Sequence, residues 1–133
     1  MALQQINPAS LGEPRGWTNG MLAPAAGRTL FVAGQTARDA GGRIVEGGLV
    51  DQWEQALANV VTVVQAGGGS PADIARMTVY LTDLKDYRKS LKAIGAVWKA
   101  RMGRHYPAMS VVEVSGLVDE GAVIEIEATA VIS

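Results

Sequence analysis

Two stretches of this chain carry apolar residues at helical spacing, and stretches of alternating residues lie before, between and after them. The first predicted helix covers residues 51–66 and ends at three glycines, and the second covers residues 84–101. Each has apolar residues at intervals of three and four, which place them on one helix face. These residues are Trp53, Ala56, Leu57, Val60 and Val64 in the first helix, and Tyr87, Leu91, Ile94, Trp98 and Met102 in the second. Two amphipathic helices need an apolar surface to pack on, so a sheet is expected beside them.

The remaining segments supply that sheet. Alternation and turn residues predict a hairpin of residues 16–20 and 28–35, and a short strand at 44–45 after a turn at 39–43. Further strands are predicted at 74–82, 110–115 and 123–131. The order predicts one α/β (α+β) domain over residues 1–133, with both helices on one face of a mixed sheet and the other face open.

The last predicted strand indicates what the open face carries. Its apolar positions from Ile124 to Ala130 alternate with a second row that contains Glu125 and Glu127. Two carboxylates on one strand face fit a solvated edge. They also fit a surface buried between subunits, where each needs a partner or a raised pKa and becomes a candidate for acid–base chemistry.

Composition excludes several kinds of site. The chain has no cysteine and one histidine, His105, so thiolate nucleophiles, disulfides, zinc–thiolate sites and multi-histidine metal sites are excluded. Its 12 basic and 13 acidic residues give a net charge of −1, without the electrostatic footprint of a nucleic-acid-binding protein. We therefore expect no metal and no nucleic-acid partner.

The sequence also predicts the cellular location and the oligomeric state. No apolar run approaches the ~20 residues of a membrane span, and residues 1–7 do not read as a signal peptide, so we expect a cytoplasmic protein without a membrane partner. Charged residues are 19% of the chain, below the ~25% of ordinary soluble domains. A small domain has a large surface for its volume, so a shortage of charged residues suggests that another copy of the chain covers part of that surface. The alternative is that the host proteome is rich in alanine and glycine.

Several segments of the chain form a recognisable set: Asn7-Pro8-Ala9, Gly34-Gln35, the helix from Trp53 to Val64, the stretch from Val79 to Leu84, Tyr106-Pro107-Ala108, Val112-Glu113-Val114 and the stretch from Ile124 to Ala128. Together they resemble the Rid family, also called YjgF, of small trimeric proteins. It implies a chorismate-mutase-like fold in a homotrimer, with a central barrel of sheets, outer helices and three clefts between neighbours. It also implies a small-molecule ligand, since the best-known members hydrolyse enamines and imines such as 2-aminoacrylate to 2-keto acids and ammonia, without cofactor or metal.

The resemblance assigns the site residue by residue, and the chain departs from it at three of four positions. The glutamate that helps to position or activate water is retained as Glu125. The aromatic wall, a tyrosine in typical members, is Trp17, and the serine before Gly-Gln is Ala33. The arginine that holds the substrate carboxylate is Met109. Backbone groups near Val111 are expected to hold polar atoms of the ligand.

The change at Met109 leaves three hypotheses. Arginine donates two parallel hydrogen bonds to a carboxylate, and losing them weakens binding of a small imino acid by about ten- to a hundredfold. The cleft then hydrolyses a more apolar substrate with Glu125 and water, or Arg15 replaces the missing charge, or the cleft binds a ligand without turnover. Alternatively, Arg15 is a loop residue that is exposed to solvent and does not bind the ligand.

Of four other residues, three allow two interpretations each. His105 is a surface or interface histidine, or a catalytic base. Trp98 belongs to the helix stripe and is most simply core. Tyr80 is interface packing or cleft lining, and Glu127 pairs with a basic residue such as Arg76 of a neighbour or is solvated.

Overall fold

Four strands form the main sheet, and two short strands near the N-terminus form a separate pair. The computed structural model of the protein describes residues 2–133. The strands are β1 (Gln4–Ile6), β2 (Gly20–Leu22), β3 (Arg28–Gln35), β4 (Ile74–Leu81), β5 (Ala108–Glu113) and β6 (Ile124–Ile132), and the helices are α1 (Leu49–Ala66), α2 (Leu84–Lys89) and α3 (Leu91–Met102). The main sheet has the order β3-β6-β4-β5, with β4 and β5 parallel and its other pairs antiparallel. The predicted mixed sheet is confirmed.

The parallel pair follows from the helices that connect its strands. Parallel neighbours need a long crossover, which α2 and α3 provide between β4 and β5. This leaves β5 at the edge of the sheet. Its outer side receives only an isolated bridge, from Thr18 to Ala108, within the part of the chain that the structure describes.

Strand β6 shows the alternation expected from the sequence. Its residues Ile124, Ile126, Ala128, Ala130 and Ile132 are buried in the core. Their neighbours Glu125, Glu127 and Thr129 lie on the opposite side, where no helix of residues 2–133 covers them. We call this side of the main sheet the open face.

Helix α1 is confirmed, and it begins two residues before the predicted start. Its stripe is buried against the sheet, with Trp53, Leu57 and Val60 at 2% exposure or less. The helix ends at Gly67, and Gly68 adopts a φ of 92° that favours glycine. The N–H groups of Gly67 and Gly69 then satisfy carbonyls of the last turn.

The second predicted helix is wrong as a single element, because it is broken at Ser90. Asp83 caps α2 by accepting hydrogen bonds from the N–H groups of Lys85 and Asp86. Ser90 then leaves helical geometry at φ −106° and ψ 10°. Serine can bond locally instead of continuing a helix, and its hydroxyl contacts the Asp86 carboxylate at 3.3 Å. With this break Tyr87 stacks on Trp53, whereas Leu91, predicted on the buried stripe, is exposed.

The predicted N-terminal hairpin is also wrong. Strand β2 spans residues 20–22 rather than 16–20, and it pairs with β1, whereas β3 pairs with β6. The Asn7 carboxamide supports the β1–β2 pair by accepting hydrogen bonds from the backbone and side chain of Asn19 at 2.8 and 3.1 Å. Alternation identifies a strand, but the pairing partner depends on contacts far along the chain.

The turn at residues 39–43 is confirmed, but the predicted strand at 44–45 is not. Ile44 forms only an isolated bridge with Arg38. The loop is instead tied to the segment before β6, because Arg38 makes two hydrogen bonds of 2.9 and 2.7 Å to the Asp119 carboxylate. This contact with Arg38, followed by the hydrogen bond from Thr36, holds the pKa of Asp119 below its ordinary value.

Candidate functional site

An open groove lies on the helix-bearing side of the main sheet, beside the edge strand β5. Its volume is about 570 Å³. Aromatic and sulfur-containing side chains dominate its walls: Trp17, Trp53, Tyr87, Trp98, Tyr106 and Met109. We call this the aromatic groove.

The register of β5 directs Met109 and Val111 into the groove. Met109 lies opposite Met77 of β4, and Val111 lies opposite Val79. Residues paired in register point to the same side of a sheet. Because Met77 and Val79 are fully buried under the helices, Met109 and Val111 also face the helices.

Two stacked aromatic pairs form the helical wall of the groove. Trp53 and Tyr87 have ring centroids 5.6 Å apart and planes within 16° of each other. Trp98 and Tyr106 have centroids 6.1 Å apart and planes within 2°. Such pairs are stabilised beyond the area that they bury. Trp53 and Trp98 are nearly buried, at 2% and 7% exposure, so each closes the groove mainly as its base.

The segment before β2 supplies the outer wall and a positive charge. The bridge from Thr18 to Ala108 holds this segment against β5, and Gly16 makes the turn with a φ of 74°. Arg15 and Trp17 consequently line the groove. Arg15 is the only charged lining residue, and no carboxylate within residues 2–133 lies within 4 Å of it. Its charge is available to an anionic ligand.

Glu125 lies on the open face of the sheet, against the backbone of β3. It pairs with Tyr80 in the β4–β6 register. A β-carbon at Gly34 would lie 2.8 Å from the Glu125 carboxyl carbon and still closer to one of its oxygens. The absence of a side chain at Gly34 therefore makes the space that the carboxylate occupies. Within residues 2–133 no hydrogen bond or ion pair engages the side-chain carboxylate of Glu125, so its oxygens are available to water or a ligand.

The second carboxylate of β6 has a partner on the same face. The Tyr80 hydroxyl donates a hydrogen bond of 2.6 Å to Glu127. This bond raises the pKa of Tyr80, with desolvation as the next cause. Arg76 lines the same shallow hollow as Glu127, but the two side chains form no ion pair within the chain.

The residues assigned by resemblance are thus divided between two sides of one sheet. Arg15, Trp17, Met109 and Val111 line the aromatic groove. Glu125 and Tyr80 belong to the open face. One chain does not bring Glu125 and Met109 together.

Ala33 lies where the pairing of β3 with β6 becomes irregular. The regular register stops at Val32 and resumes at Gln35. Ala33 is exposed, and its carbonyl accepts a hydrogen bond of 3.0 Å from the Gln35 side chain. It offers no side-chain donor where the resemblance implies a serine hydroxyl.

His105 and Trp98 serve the packing of the fold. A ring nitrogen of His105 lies 2.7 Å from the carbonyl oxygen of Ile74, at the start of β4. The Trp98 indole donates to the backbone oxygen of His105 at 3.2 Å. These hydrogen bonds account for the position of His105 without a catalytic role as a base. Trp98 belongs both to the core and to the wall of the groove.

Sequence reasoning missed four residues of these surfaces: Trp53, Tyr87, Tyr106 and Gly34. Trp53 and Tyr87 lie on helical stripes, which predict burial but not that a buried ring also borders a groove. Tyr106 and Gly34 lay in the segments that carried the resemblance. The signal for Gly34 was its position before Gln35 in a strand, since glycine in a strand often permits a close approach.

Two kinds of site are absent from residues 2–133. No group of three or more acidic or histidine side chains could hold a metal ion. No helix in this range has the length and apolar character of a membrane crossing.

Comparison with known proteins identifies the family. The sequence model of the endoribonuclease L-PSP family matches residues 16–132. The Rid-family protein YyfB of Yersinia pestis has a solved structure that superposes with a TM-score of 0.86 and 34% identity, covering 99% of this chain and 100% of that one. This chain belongs to the Rid (YjgF) family. The expected mixed α+β, chorismate-mutase-like fold is confirmed.

Two named relatives are similar over most of their length. A RutC family protein of Pyrococcus horikoshii is 41% identical over 106 residues, which are 79% of this chain and 80% of the relative. The goat 2-iminobutanoate/2-iminopropanoate deaminase is 34% identical over 105 residues, which are 78% of this chain and 73% of the relative. The relatives thus include a protein named as a deaminase of 2-iminobutanoate and 2-iminopropanoate.

Proposed function

We propose that this protein is a Rid-type hydrolase that converts an imine or enamine to a carbonyl compound and ammonia. Its cleft would form between copies of the chain, and its substrate would be more apolar than 2-iminopropanoate. The observation that carries the proposal is the Glu125 carboxylate, which lies unpartnered against Gly34. The named deaminases among the relatives support the reaction class.

Glu125 would act as the base for attacking water. As water oxygen bonds to the imine carbon, the C=N π electrons move to nitrogen, and Glu125 passes a proton from water to that nitrogen. The resulting carbinolamine then loses its hydroxyl proton to Glu125, its C–N bond breaks, and the proton leaves with ammonia. Water and imine are consumed, and a carbonyl compound and ammonia are formed. An enamine first gains a proton at carbon to become the imine.

Assembly into a homotrimer belongs to the same proposal. Glu125 and Met109 point to opposite sides of the sheet, so one cleft can contain both only if a second copy contributes one of them. The open face also presents Phe31, which is 78% exposed although it lies within β3. An exposed phenylalanine on an uncovered sheet face favours an interface. Tyr80 and Glu127 would then lie within that interface.

The aromatic groove supports a change of substrate. Met109 packs against aromatic and acyl surfaces but cannot pair with a carboxylate. Trp17 provides a larger wall, and Ala33, which lies on β3 outside this groove, would offer the substrate no hydroxyl. Arg15 supplies the positive charge of the groove and would hold an anionic end of the ligand near the opening, while backbone groups of Val111 would meet polar atoms deeper in.

The second candidate is a trimer that binds a small molecule without turnover. The observation that favours it is Met109, since a protein that only binds has no need to fix a small imino acid beside a base. Glu125 would then be kept for its packing against Gly34.

An ammonia-release assay separates the two candidates. Imines would be generated in the assay from alanine and from amino acids with larger apolar side chains by an amino acid oxidase. The expected result is turnover that increases with side-chain size, and a loss of about 10²- to 10⁴-fold in Glu125→Gln. Glu127→Gln is the matched control, because the amide oxygen still accepts from Tyr80. Light scattering on the same samples should give the mass of a trimer.

Three outcomes would contradict this proposal. A monomer would remove the shared cleft. Fast turnover of the alanine-derived imine would refute the interpretation of Met109. Saturable binding of an apolar ligand without ammonia release from any imine would favour the binding protein.

A further inference from the structure

The pairing of β3 with β6 ends next to Glu125. The two strands pair in regular register over residues 28–32 of β3, and the register then shifts before Gln35, which lies opposite Ile126. In the part of the chain that the structure describes, no backbone pair joins the two strands beyond this point. Glu125 therefore lies one residue past the end of the ladder, and the ladder does not fix how it lies against Gly34.

Side chains join the two segments just beyond the end of this ladder. Asp119, in the loop that precedes β6, accepts two hydrogen bonds of 2.9 and 2.7 Å from the Arg38 guanidinium. It also accepts one from the Thr36 hydroxyl. The Asp119 side chain is only 20% exposed, and hydrogen bonds to an ionised acceptor are stronger than those between neutral groups. We call these three residues the loop clamp.

Helix α1 holds the backbone on both sides of the loop clamp. The Asn59 carboxamide donates to the two carbonyl oxygens at the ends of residues 36–38, at 3.0 and 2.9 Å. The Gln52 carboxamide donates to the carbonyl of Gly121 at 3.0 Å and accepts from the N–H of Val123 at 2.9 Å. Both loops therefore rest on the same helix, and the loop clamp makes the direct connection between them.

We propose that Asp119 is a positioning residue, which sets how the Glu125 carboxylate lies against the backbone of Gly34. Asp119 ties the end of β3 to the segment that leads into β6, so loss of its hydrogen bonds lets the strands separate beyond the ladder. Because Glu125 occupies the space of an absent β-carbon at Gly34, a small movement of β3 displaces the carboxylate. The inference rests on the proposed function for its effect on turnover, since misplacing a reacting group by about 1 Å can cost up to about 100-fold in rate.

The first test is kinetic and uses the ammonia-release assay. Asp119→Ala should lower kcat for imine hydrolysis by about tenfold and leave KM unchanged, because the residues that line the aromatic groove are not altered. Asp119→Asn keeps an acceptor for Arg38 and should recover part of the loss. Glu54→Gln is the matched control, since it removes a carboxylate from an exposed ion pair of 3.8 Å with Arg101, between α1 and α3. It should retain the wild-type kcat.

The second test measures the position of Glu125 without turnover. In wild-type protein with labelled glycine, glutamate and valine, the α protons of Gly34 should give a nuclear Overhauser effect with the side-chain methylene protons of Glu125. A β-carbon on Gly34 would lie 3.1 Å from the Glu125 Cγ. Asp119→Ala should weaken this signal. Gly27 is the control in the same spectrum, because a β-carbon there would lie 2.9 Å from a Val131 methyl at the other end of the strand pair. Its signal should persist.

Two results would overturn the inference. One is an unchanged kcat in Asp119→Ala of an active protein, and the other is a Gly34–Glu125 signal of wild-type strength in that variant. If Asp119→Ala does not fold, Thr36→Val gives the same comparison, because it removes one donor of the loop clamp and conserves the shape of the side chain.

Failure of the proposed function is a separate result, because the second test needs no substrate. A protein that releases no ammonia from any imine would refute hydrolysis. In that protein, a Gly34–Glu125 signal that weakens in Asp119→Ala would still support the positioning role of Asp119. Ammonia release with a signal that Asp119→Ala leaves unchanged would support hydrolysis and refute the positioning role.

Discussion

The two sides of the main sheet differ in chemistry although the same strands build both. The helix-bearing side carries the aromatic groove, with Met109 and Trp53 in its walls and Arg15 at its margin. The open face carries Glu125 and a Tyr80–Glu127 hydrogen bond, with few apolar rings other than Phe31. One side presents a largely apolar groove, and the other presents carboxylates and a phenol.

Two of the three departures that the resemblance implies, Trp17 and Met109, lie in the aromatic groove. Strand β5 directs Met109 toward the helices, while β6 directs Glu125 away from them. Substitutions in the groove can therefore change ligand preference without disturbing the carboxylate. If the two sides are independent, a change on one side should leave the function of the other unaltered.

The largest effect is expected at Gly34. In Gly34→Ala the new β-carbon would occupy the space of the Glu125 carboxylate, so the carboxylate must move. We expect imine hydrolysis to fall by about 100-fold or more. The free energy of unfolding should change by no more than about 1 kcal/mol, because only the end of a flexible side chain is displaced. Ligand affinity of the aromatic groove should not change.

Gly20→Ala is the control for this change, since a β-carbon there meets Ile6 at an ordinary 3.5 Å. It should retain activity. An equal loss in both variants, or full activity in Gly34→Ala, would show that the position of Glu125 does not depend on Gly34.

An intermediate effect is expected when charge is returned to the groove. Met109→Arg should raise kcat/KM for the alanine-derived imine by about ten- to a hundredfold, because a hydrogen bond to a charged group contributes about 1.5–3 kcal/mol. It should also weaken binding of uncharged aromatic ligands. Met109→Leu conserves size without adding charge and should leave kcat/KM for the alanine-derived imine unchanged. If Met109→Arg also leaves this kcat/KM unchanged, position 109 does not contact the substrate carboxylate.

The smallest effect concerns the open face alone. The hydrogen bond to Glu127 raises the pKa of Tyr80, so its contribution to stability is complete below the ordinary pKa of a phenol and is lost as pH rises through the raised value. In an ultraviolet titration of tyrosinate, Tyr80 should ionise above the ordinary phenol pKa. Glu127→Gln should lower that value, and Tyr80→Phe should remove the transition. An unchanged Tyr80 titration in Glu127→Gln would refute this assignment.

Much of the fold could be predicted because its signals are local. The stripe of α1 and the alternation of β6 are properties of consecutive residues, and both are confirmed. The break at Ser90 was missed because the spacing of apolar residues continues across it. The pairing of β2 with β1 was missed because alternation does not specify a partner. The site was predicted only as a set of residues, since its members come from segments far apart along the chain.

The sequence by itself determined the family and the class of fold, and it predicted that Glu125 is retained while Met109 replaces a carboxylate-binding arginine. Only the tertiary structure decided that Met109 and Glu125 face opposite sides of the sheet, and that Trp53 is buried with an unpaired donor at the wall of a groove. The physical reason is that the direction of a side chain depends on strand register and on which neighbour covers each face. Those are contacts between distant residues, and residue spacing does not encode them.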